Sequence, residues 1–302
     1  MKKLVLTLLA LAALQTSRAA DNKITVKYAD RDSCALYLDI YQPEHISEGK
    51  PAILYMFGGG FIKGHRNEGT SKWFKTLNDN GYQVITIDYR LGLKNQKAKG
   101  LKFIKALEKA IDIAVEDLYS ATVFLLENGA EYGIDANNIV LTGSSAGAIS
   151  VLQAEYEICN DGELAEVLPE GFNYAGVMSF SGAIFDRHNP LQFKKEPCPL
   201  LMFHGTADKL VPYKKIALFN TCFAGTSEIA RVLKKNGIPF SVCRYADRGH
   251  DVSIYGGYCT EQEFRFIEDK VIKGLKYTSD TLMDDPKSPL TGWGNSKPGA
   301  LY

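Results

Sequence analysis

The sequence has no excess of either charge and no long run of basic residues. Its 302 residues include 35 lysines and arginines and 35 aspartates and glutamates, which gives a formal net charge of +0. Binding to nucleic acid needs a concentrated cationic face, so this composition argues against nucleic acid as a partner. With 45% hydrophobic and 23% charged residues, the chain has the composition of an ordinary globular protein.

The apolar run at the N-terminus is too short to cross a bilayer. Lys2 and Lys3 precede this run, Leu4–Leu14 form it, and small residues follow at positions 17 and 19. This order is typical of a signal peptide; a buried helix is the alternative. We predict that residues 1–19 are removed and that the mature chain, with no membrane span, is exported to the periplasm or secreted. Processing removes three basic residues and no acidic one, so the formal charge goes from +0 to about −3.

The six cysteines have no C-x-x-C spacing, which argues against a zinc site. In an exported protein an even number of cysteines permits disulfides, and six thiols allow about 15 pairings. Cys198 and Cys243 lie in or beside predicted core strands, where cysteine acts as a small hydrophobic residue. We expect at most one or two disulfides, and their pairing stays open. Neither a metal nor another cofactor is predicted.

Predicted strands alternate with predicted helices along most of the chain. The strands are apolar on both faces, which is typical of a parallel sheet covered by helices on both sides. We therefore predict an α/β fold with a mostly parallel central sheet, antiparallel N-terminal strands and helices on both faces. The predicted strands are Ile24–Tyr28, Ala35–Tyr41, Ala52–Phe57, Tyr82–Tyr89, Asn138–Thr142, Ala175–Ser179, Leu200–His204 and Phe240–Tyr245. The predicted helices are about Lys102–Asn128, from Ala146 onward, Tyr213–Lys235 and Glu261–Leu275.

A single domain is predicted for residues 20–276, because no internal repeat or long linker divides them. Residues 277–302 form a tail that is rich in Asp, Ser, Pro and Gly and has no apolar period. Two interpretations of this tail stay open. It is a disordered end, or it packs on the domain through Trp293 and Tyr302.

The segment Gly143–Gly147 has the pattern G-x-S-x-G, with Ser145 at its centre. A predicted strand precedes it and a predicted helix follows, and in this context the pattern places a serine on a sharp turn where it can act as a nucleophile. A loop or a helix cap with two glycines is the alternative. Ser144 is a competing nucleophile, but it lies outside the central position.

A nucleophilic serine needs a base, and the base needs an acid that orients it. We expect both residues just after the ends of later strands, where reacting groups gather in such a sheet. His250 follows the predicted strand that ends at Tyr245, and Asp208 follows the one that ends at His204. We predict His250 as the base, with a surface histidine as the alternative, and Asp208 as its partner. Asp251 is the fallback acid, and His204 is interpreted as a structural side chain.

Three glycines, Gly58, Gly59 and Gly60, follow a predicted buried strand directly. A flexible loop is one reading, and exposed backbone amides for a ligand are the other. With the amide of Ala146, these glycines would form an oxyanion hole. Phe61 and Ile62, with Trp73 and Phe74, would line a substrate pocket, or they pack in the core. A cap is considered for residues 186–193.

At this point the chain resembles an α/β-hydrolase of the carboxylesterase and lipase group, over residues 41–275. It is similar to the hormone-sensitive-lipase-like esterases, which include exported acetyl and feruloyl esterases. Phe57 stands where that group usually has histidine, and Ser144 stands where aspartate is common. The resemblance implies Ser145, Asp208 and His250 as the catalytic triad. Its motifs are Tyr55–Phe61, Asp88–Leu91, Glu116–Asp117, Tyr132–Asp135, Gly143–Gly147, His204–Asp208, Val211–Pro212 and Gly249–His250.

These residues together predict a serine hydrolase that cleaves small acyl or aryl esters through an acyl-enzyme, and the resemblance implies acetyl or feruloyl esters linked to plant polysaccharides among its substrates. A serine peptidase of the same fold and a non-catalytic binding protein that kept the fold are the alternatives. The predicted partner is therefore a small-molecule or polysaccharide-linked ester, and the oligomeric state is left open.

Overall fold

The computed structural model of the chain describes residues 23–297 except 32–33, 68–70, 188–189 and 219. The predicted signal peptide and Tyr302 lie outside the described residues. In chain order the strands are β1 (Lys23–Arg31), β2 (Cys34–Tyr41), β3 (Ala52–Met56), β4 (Val84–Ile87), β5 (Ile139–Ser144), β6 (Gly176–Phe180), β7 (Ala183–Asp186), β8 (Leu200–Gly205), β9 (Lys215–Leu218), β10 (Thr221–Gly225), β11 (Ser241–Tyr245) and β12 (Ser279–Met283). The helices are α1 (Ser71–Asp79), α2 (Leu101–Asn128), α3 (Ala146–Asn160), α4 (Thr226–Lys235) and α5 (Thr260–Phe266), which continues as a π-helical segment (Ile267–Ile272).

Among the described residues, nine strands form the central sheet, in the order β1-β2-β4-β3-β5-β6-β8-β11-β12. Strands β1, β2 and β4 are joined by antiparallel pairing, and every other neighbouring pair is parallel. Strands β3, β6 and β8 are buried along their whole length, as strands with helices on both faces must be. The predicted fold class is confirmed.

The predicted helix Tyr213–Lys235 is wrong in its first half. Strands β9 and β10 occupy that half, and α4 begins only at Thr226. β10 pairs antiparallel with both β9 and β7, which forms a separate three-stranded sheet. Short apolar segments fit a strand and a helix equally well, and the partner that decides between them is β7, which pairs with β10 and ends well before it in the chain, at Asp186. Helix α1 was not predicted either.

The tail beyond residue 276 packs on the body of the protein. β12 pairs in parallel with β11, so the central sheet continues past the position where we placed the end of the domain. Trp293, one of the two residues that would let the tail pack, is only 41% exposed. Of the two open readings, the packed tail is therefore the one seen for residues 277–297.

Five of the six cysteines are buried, and these five are thiols that form no disulfide with one another. They lie in the core as small hydrophobic side chains. The buried cysteines are Cys159, Cys198, Cys222, Cys243 and Cys259.

Candidate active site

Ser145 lies between the end of β5 and the start of α3, with a φ of 52°. A positive φ is uncommon for a residue other than glycine, and here it turns the chain sharply from strand to helix. A Cβ on Gly143 would overlap the backbone of Gly147, and a Cβ on Gly147 would overlap the carbonyl of Met56. Both glycines are therefore required by the close approach of backbone segments, and this turn has the geometry of a nucleophile elbow.

Three predicted residues meet at the carboxyl ends of β5, β8 and β11. Ser145 Oγ lies 2.8 Å from His250 Nε2, and His250 Nδ1 lies 2.8 Å from Asp208 Oδ2. All three side chains are buried. An ionised carboxylate only accepts hydrogen bonds, so Nδ1 carries the proton and Nε2 is left to accept the Ser145 hydroxyl. The imidazole is thus oriented as a base toward this serine.

The Asp208 carboxylate is held in its ionised form. Burial would raise its pKa, but hydrogen bonds with His204 and His250 hold the pKa well below its usual range. Its other oxygen accepts the backbone N–H groups of Leu210 at 2.9 Å and Val211 at 3.1 Å. A carboxylate with several donors is stabilised as the anion, so it can stabilise a charged imidazole.

The other candidates for these positions make different contacts, although His204 Nε2 also lies 3.4 Å from Asp208 Oδ2. His204 bonds Thr226 Oγ1 at 2.9 Å and the carbonyl of Val211 at 3.1 Å, as expected of a structural side chain. Ser144 Oγ donates to the carbonyl of Ser253 at 2.5 Å. Asp251, the fallback acid, accepts two hydrogen bonds from Thr291 in the tail.

The glycine loop lies against Ser145. A Cβ on Gly58 would stand 3.3 Å from the Cβ of Ser145. Gly59 and Gly60 have φ values of 109° and 65°, which favour glycine. Ala146 is the first residue of α3, and the first amides of a helix have no partner inside it. The structure thus brings all four predicted oxyanion-hole residues next to the serine; their role stays a prediction.

Phe57 supports the glycine loop by aromatic packing. Its ring stacks on Tyr89 with centroids 4.4 Å apart, and the Tyr89 hydroxyl donates to the Phe57 carbonyl at 2.9 Å. A Cβ on Gly64 would overlap the Phe57 ring. The loop is therefore held without the histidine that is usual in the resembling group.

Two cavities open beside Ser145. The first, the apolar cavity, lies between the start of α2, α3 and the small sheet. Phe61 lines this cavity, whereas Ile62 packs against the core and is not among the residues lining either cavity. The other apolar residues that line the apolar cavity include Phe103, Ile104, Leu107, Ile149, Phe185, Leu210, Val211, Ile216, Leu218 and Phe223.

The second, the aromatic cavity, contains both Ser145 and His250. Its aromatic walls are Tyr55, Phe57, Trp73, Phe180 and Trp293. Lys63 and the three glycines of the loop complete this side of the site. Trp293 and Lys63 were not predicted to lie here, because no local pattern connects them with the serine.

Trp73 is fixed in the wall of the aromatic cavity by a buried carboxylate, while its neighbour Phe74 packs in the core. Trp73 Nε1 donates to Glu263 Oε2 at 2.8 Å, and Glu263 is fully buried. Burial raises the pKa of Glu263 to about 7, although hydrogen bonds from Trp73 and Gly257 oppose the rise.

This pKa predicts a stability that depends on pH. Since the pKa of Glu263 is higher in the folded protein, its contribution is fully present below the unfolded value of about 4.5 and is lost as pH rises to about 7. The loss is on the order of 3 kcal/mol. In urea unfolding at several pH values, Glu263→Gln should flatten this part of the profile, whereas the exposed Glu261→Gln should leave it unchanged. An unchanged profile in Glu263→Gln would contradict the prediction.

No group of three or more His, Cys, Asp or Glu side chains that could hold a metal ion occurs in the described part of the chain. Within the same residues, no helix has the length and apolar character needed to cross a membrane.

Comparisons with protein families match two overlapping parts of the chain. The family described as BD-FAE matches residues 38–163, and the family described as Phospholipase/Carboxylesterase matches residues 104–234. Together the two matches contain the glycine loop, the elbow and Asp208.

Two of the similar curated proteins are named as esterases. Carboxylesterase 5A of Mus musculus is 32% identical over 124 residues, which are 38% of this chain and 19% of that protein. Para-nitrobenzyl esterase of Bacillus subtilis (strain 168) is 26% identical over 118 residues, 38% of this chain and 23% of that protein. The match thus spans about a fifth of the length of these relatives.

Similar solved structures cover most of the chain. A propionate-bound esterase of Thermogutta terrifontis, Est2, aligns with a TM-score of 0.60 at 21% identity, over 81% of this chain and 93% of that one. Esterase 2 of the same organism, phosphorylated by paraoxon, aligns with a TM-score of 0.58 at 19% identity, over 82% and 94%. These likenesses show the fold. With the sheet order and the elbow, they identify the fold of the chain as that of an α/β-hydrolase, and the two family matches support a carboxylesterase- and lipase-type family.

Proposed function

We propose that this chain is a serine carboxylesterase that acts through an acyl-enzyme. The observation that carries the proposal is the continuous hydrogen-bonded series Asp208–His250–Ser145, which ends at a serine between two cavities. A buried serine paired with an oriented imidazole is the arrangement of an activated nucleophile. The esterase names of the similar proteins support the same activity.

The proposed reaction has two acyl-transfer steps. Ser145 Oγ attacks the ester carbonyl carbon while His250 Nε2 takes the hydroxyl proton. The tetrahedral oxyanion is bound by the amides of Gly59 and Ala146, with Gly58 or Gly60 as a further donor. His250 then gives its proton to the leaving alcohol. Water then attacks the acyl-enzyme while His250 takes its proton, and His250 returns this proton to Ser145 Oγ as the bond between the acyl group and Oγ breaks and the acid leaves.

The apolar cavity suits an acyl or aryl group. It is lined almost entirely by aliphatic and aromatic side chains and reaches Ser145. We propose small acyl or aryl esters as substrates and, more narrowly, acetyl or feruloyl esters linked to plant polysaccharides. An exported enzyme, periplasmic or secreted, would meet such substrates outside the cytoplasm.

Covalent labelling tests this proposal. A fluorophosphonate should label the protein at one site, in the peptide that contains Ser145, because phosphorus takes the place of the carbonyl carbon in the attack. The protein should also hydrolyse p-nitrophenyl acetate. Cleavage of aminoacyl-nitroanilides in preference to the ester would instead indicate a peptidase. The absence of both labelling and hydrolysis would indicate a binding protein.

A further inference from the structure

We propose that the C-terminal segment, residues 284–297, contributes to the active site. In this proposal Asp251 fastens the segment beside the base, and Trp293 forms a subsite for the ring of a ring-bearing ester. The inference rests on the proposed esterase function and names both a positioning residue and a substrate class for that site.

The segment follows the loop that carries His250 over most of its length. Arg248 Nε donates to Ser288 Oγ at 2.6 Å, and a second nitrogen of the same guanidinium donates to the carbonyl of Asp285 at 3.0 Å. The buried Tyr255 donates its hydroxyl to the carbonyl of Pro289 at 2.8 Å. Residues on both sides of His250 are therefore bonded to the tail.

The closest attachment is at His250 and its neighbour. Asp251 Oδ1 accepts the backbone N–H of Thr291 at 2.6 Å and the Thr291 hydroxyl at 2.9 Å. The backbone N–H of His250 donates to the carbonyl of Gly294 at 3.4 Å. Since the base and the fastening carboxylate are adjacent in the chain, loss of this attachment would loosen the imidazole itself.

Two glycines allow the segment to lie this close. A Cβ on Gly249 would overlap the carbonyl oxygen of Gly294, and a Cβ on Gly294 would overlap the carboxylate of Asp251. At Gly249 a side chain of any kind would have no space beside Gly294. The backbones of the two segments are in direct contact beside the base.

The attachment places Trp293 in the aromatic cavity. The indole lines the same cavity as Ser145 and His250 and is 41% exposed. Lys63 Nζ lies 5.6 Å from its ring centroid, within the range of a cation–π interaction. A partly exposed indole that lines the same cavity as Trp73 and Phe180 suits a planar ring, because aromatic rings gain beyond burial from stacked or edge-to-face packing.

Steady-state kinetics on matched esters test both parts. The substrates are phenyl acetate and methyl benzoate, which carry a ring on either side of the ester, and ethyl acetate, which has none. Trp293→Ala should raise KM about ten-fold for at least one ring-bearing ester, with KM for ethyl acetate changed less than about two-fold, and Trp293→Phe should restore most of the loss. Asp251→Ala should lower kcat about ten-fold for all three esters, and Asp251→Asn should recover it because its amide oxygen can accept the same Thr291 donors.

Leu290→Ala is the matched control, because Leu290 belongs to the same segment but is 71% exposed. Equal losses for ring-bearing and ringless esters in Trp293→Ala, or unchanged kcat in Asp251→Ala, would overturn the inference, as would the same losses in Leu290→Ala. Wild-type protein that neither hydrolyses these esters nor reacts with a fluorophosphonate would overturn the proposed function instead.

Discussion

Replacement of Ser145 by alanine is expected to lower kcat for ester hydrolysis by about five to six orders of magnitude. The hydroxyl is the only group at the turn that is bonded to His250 Nε2, so its removal takes away the atom that forms the acyl-enzyme. The side chain is small and alanine keeps its Cβ, so the thermal midpoint of unfolding should stay close to that of the wild type. Hydrolysis of p-nitrophenyl acetate and fluorophosphonate labelling measure the effect.

Ser144→Ala is the matched control for this prediction. Ser144 is adjacent, and its hydroxyl donates to the carbonyl of Ser253 rather than to the imidazole. This variant should keep its labelling at position 145 and most of its activity. If Ser144→Ala abolished activity while Ser145→Ala retained it, the assignment of the nucleophile would be reversed.

Replacement of Asp208 by asparagine is expected to lower kcat by about four orders of magnitude. The carboxylate accepts from His250 Nδ1 at 2.8 Å, which leaves Nε2 free to accept the serine proton. A carboxamide can present its N–H₂ group there, and this stabilises the opposite imidazole tautomer. It also removes the negative charge that stabilises the imidazolium formed during the reaction.

The comparison with Asp251→Asn isolates the role of Asp208. Both carboxylates are buried within the same site, but Asp251 bonds Thr291 and not the imidazole. Only Asp208→Asn should abolish turnover, and its kcat should recover partly at high pH, where hydroxide can take part as a base. Similar losses in the two variants would show that the imidazole is oriented in another way.

Stability at low pH gives a second measurement on Asp208. Because its pKa in the folded protein is lower than in the unfolded chain, its contribution is present above the unfolded value. That contribution disappears as pH falls through the folded pKa. Asp208→Asn should therefore be less sensitive than the wild type to unfolding by acid.

Much of the fold was predictable because its signals are local. The strand β5, the glycines of the elbow and the helix α3 follow one another without interruption, so Ser145 could be placed from ten neighbouring residues. The order of Ser145, Asp208 and His250 could be predicted as well, because parallel strands present their carboxyl ends at one edge of the sheet. The apolar, doubly buried strands fixed the fold class in the same way.

Other features depended on partners that are distant in the chain. Lys215–Leu218 and Thr221–Gly225 form strands because β7 offers an edge with which β10 can pair. Ile62 was predicted to line a pocket beside Phe61. In the turn that starts at Gly59, Phe61 lines the apolar cavity and Ile62 packs against the core.

The sequence by itself determined the α/β class, the elbow at Ser145 and the strand ends that carry Asp208 and His250, because each of these features is specified by residues that are consecutive in the chain. Tertiary structure alone decided how Phe57 supports the glycine loop, which acid faces the imidazole and where the tail lies. Asp251 is adjacent to His250 in the sequence, whereas Asp208 is close to it in space. The folded backbone directs Asp208 to the imidazole and Asp251 to Thr291. Contacts between distant segments have no local signal, since they depend on the packing of the whole sheet.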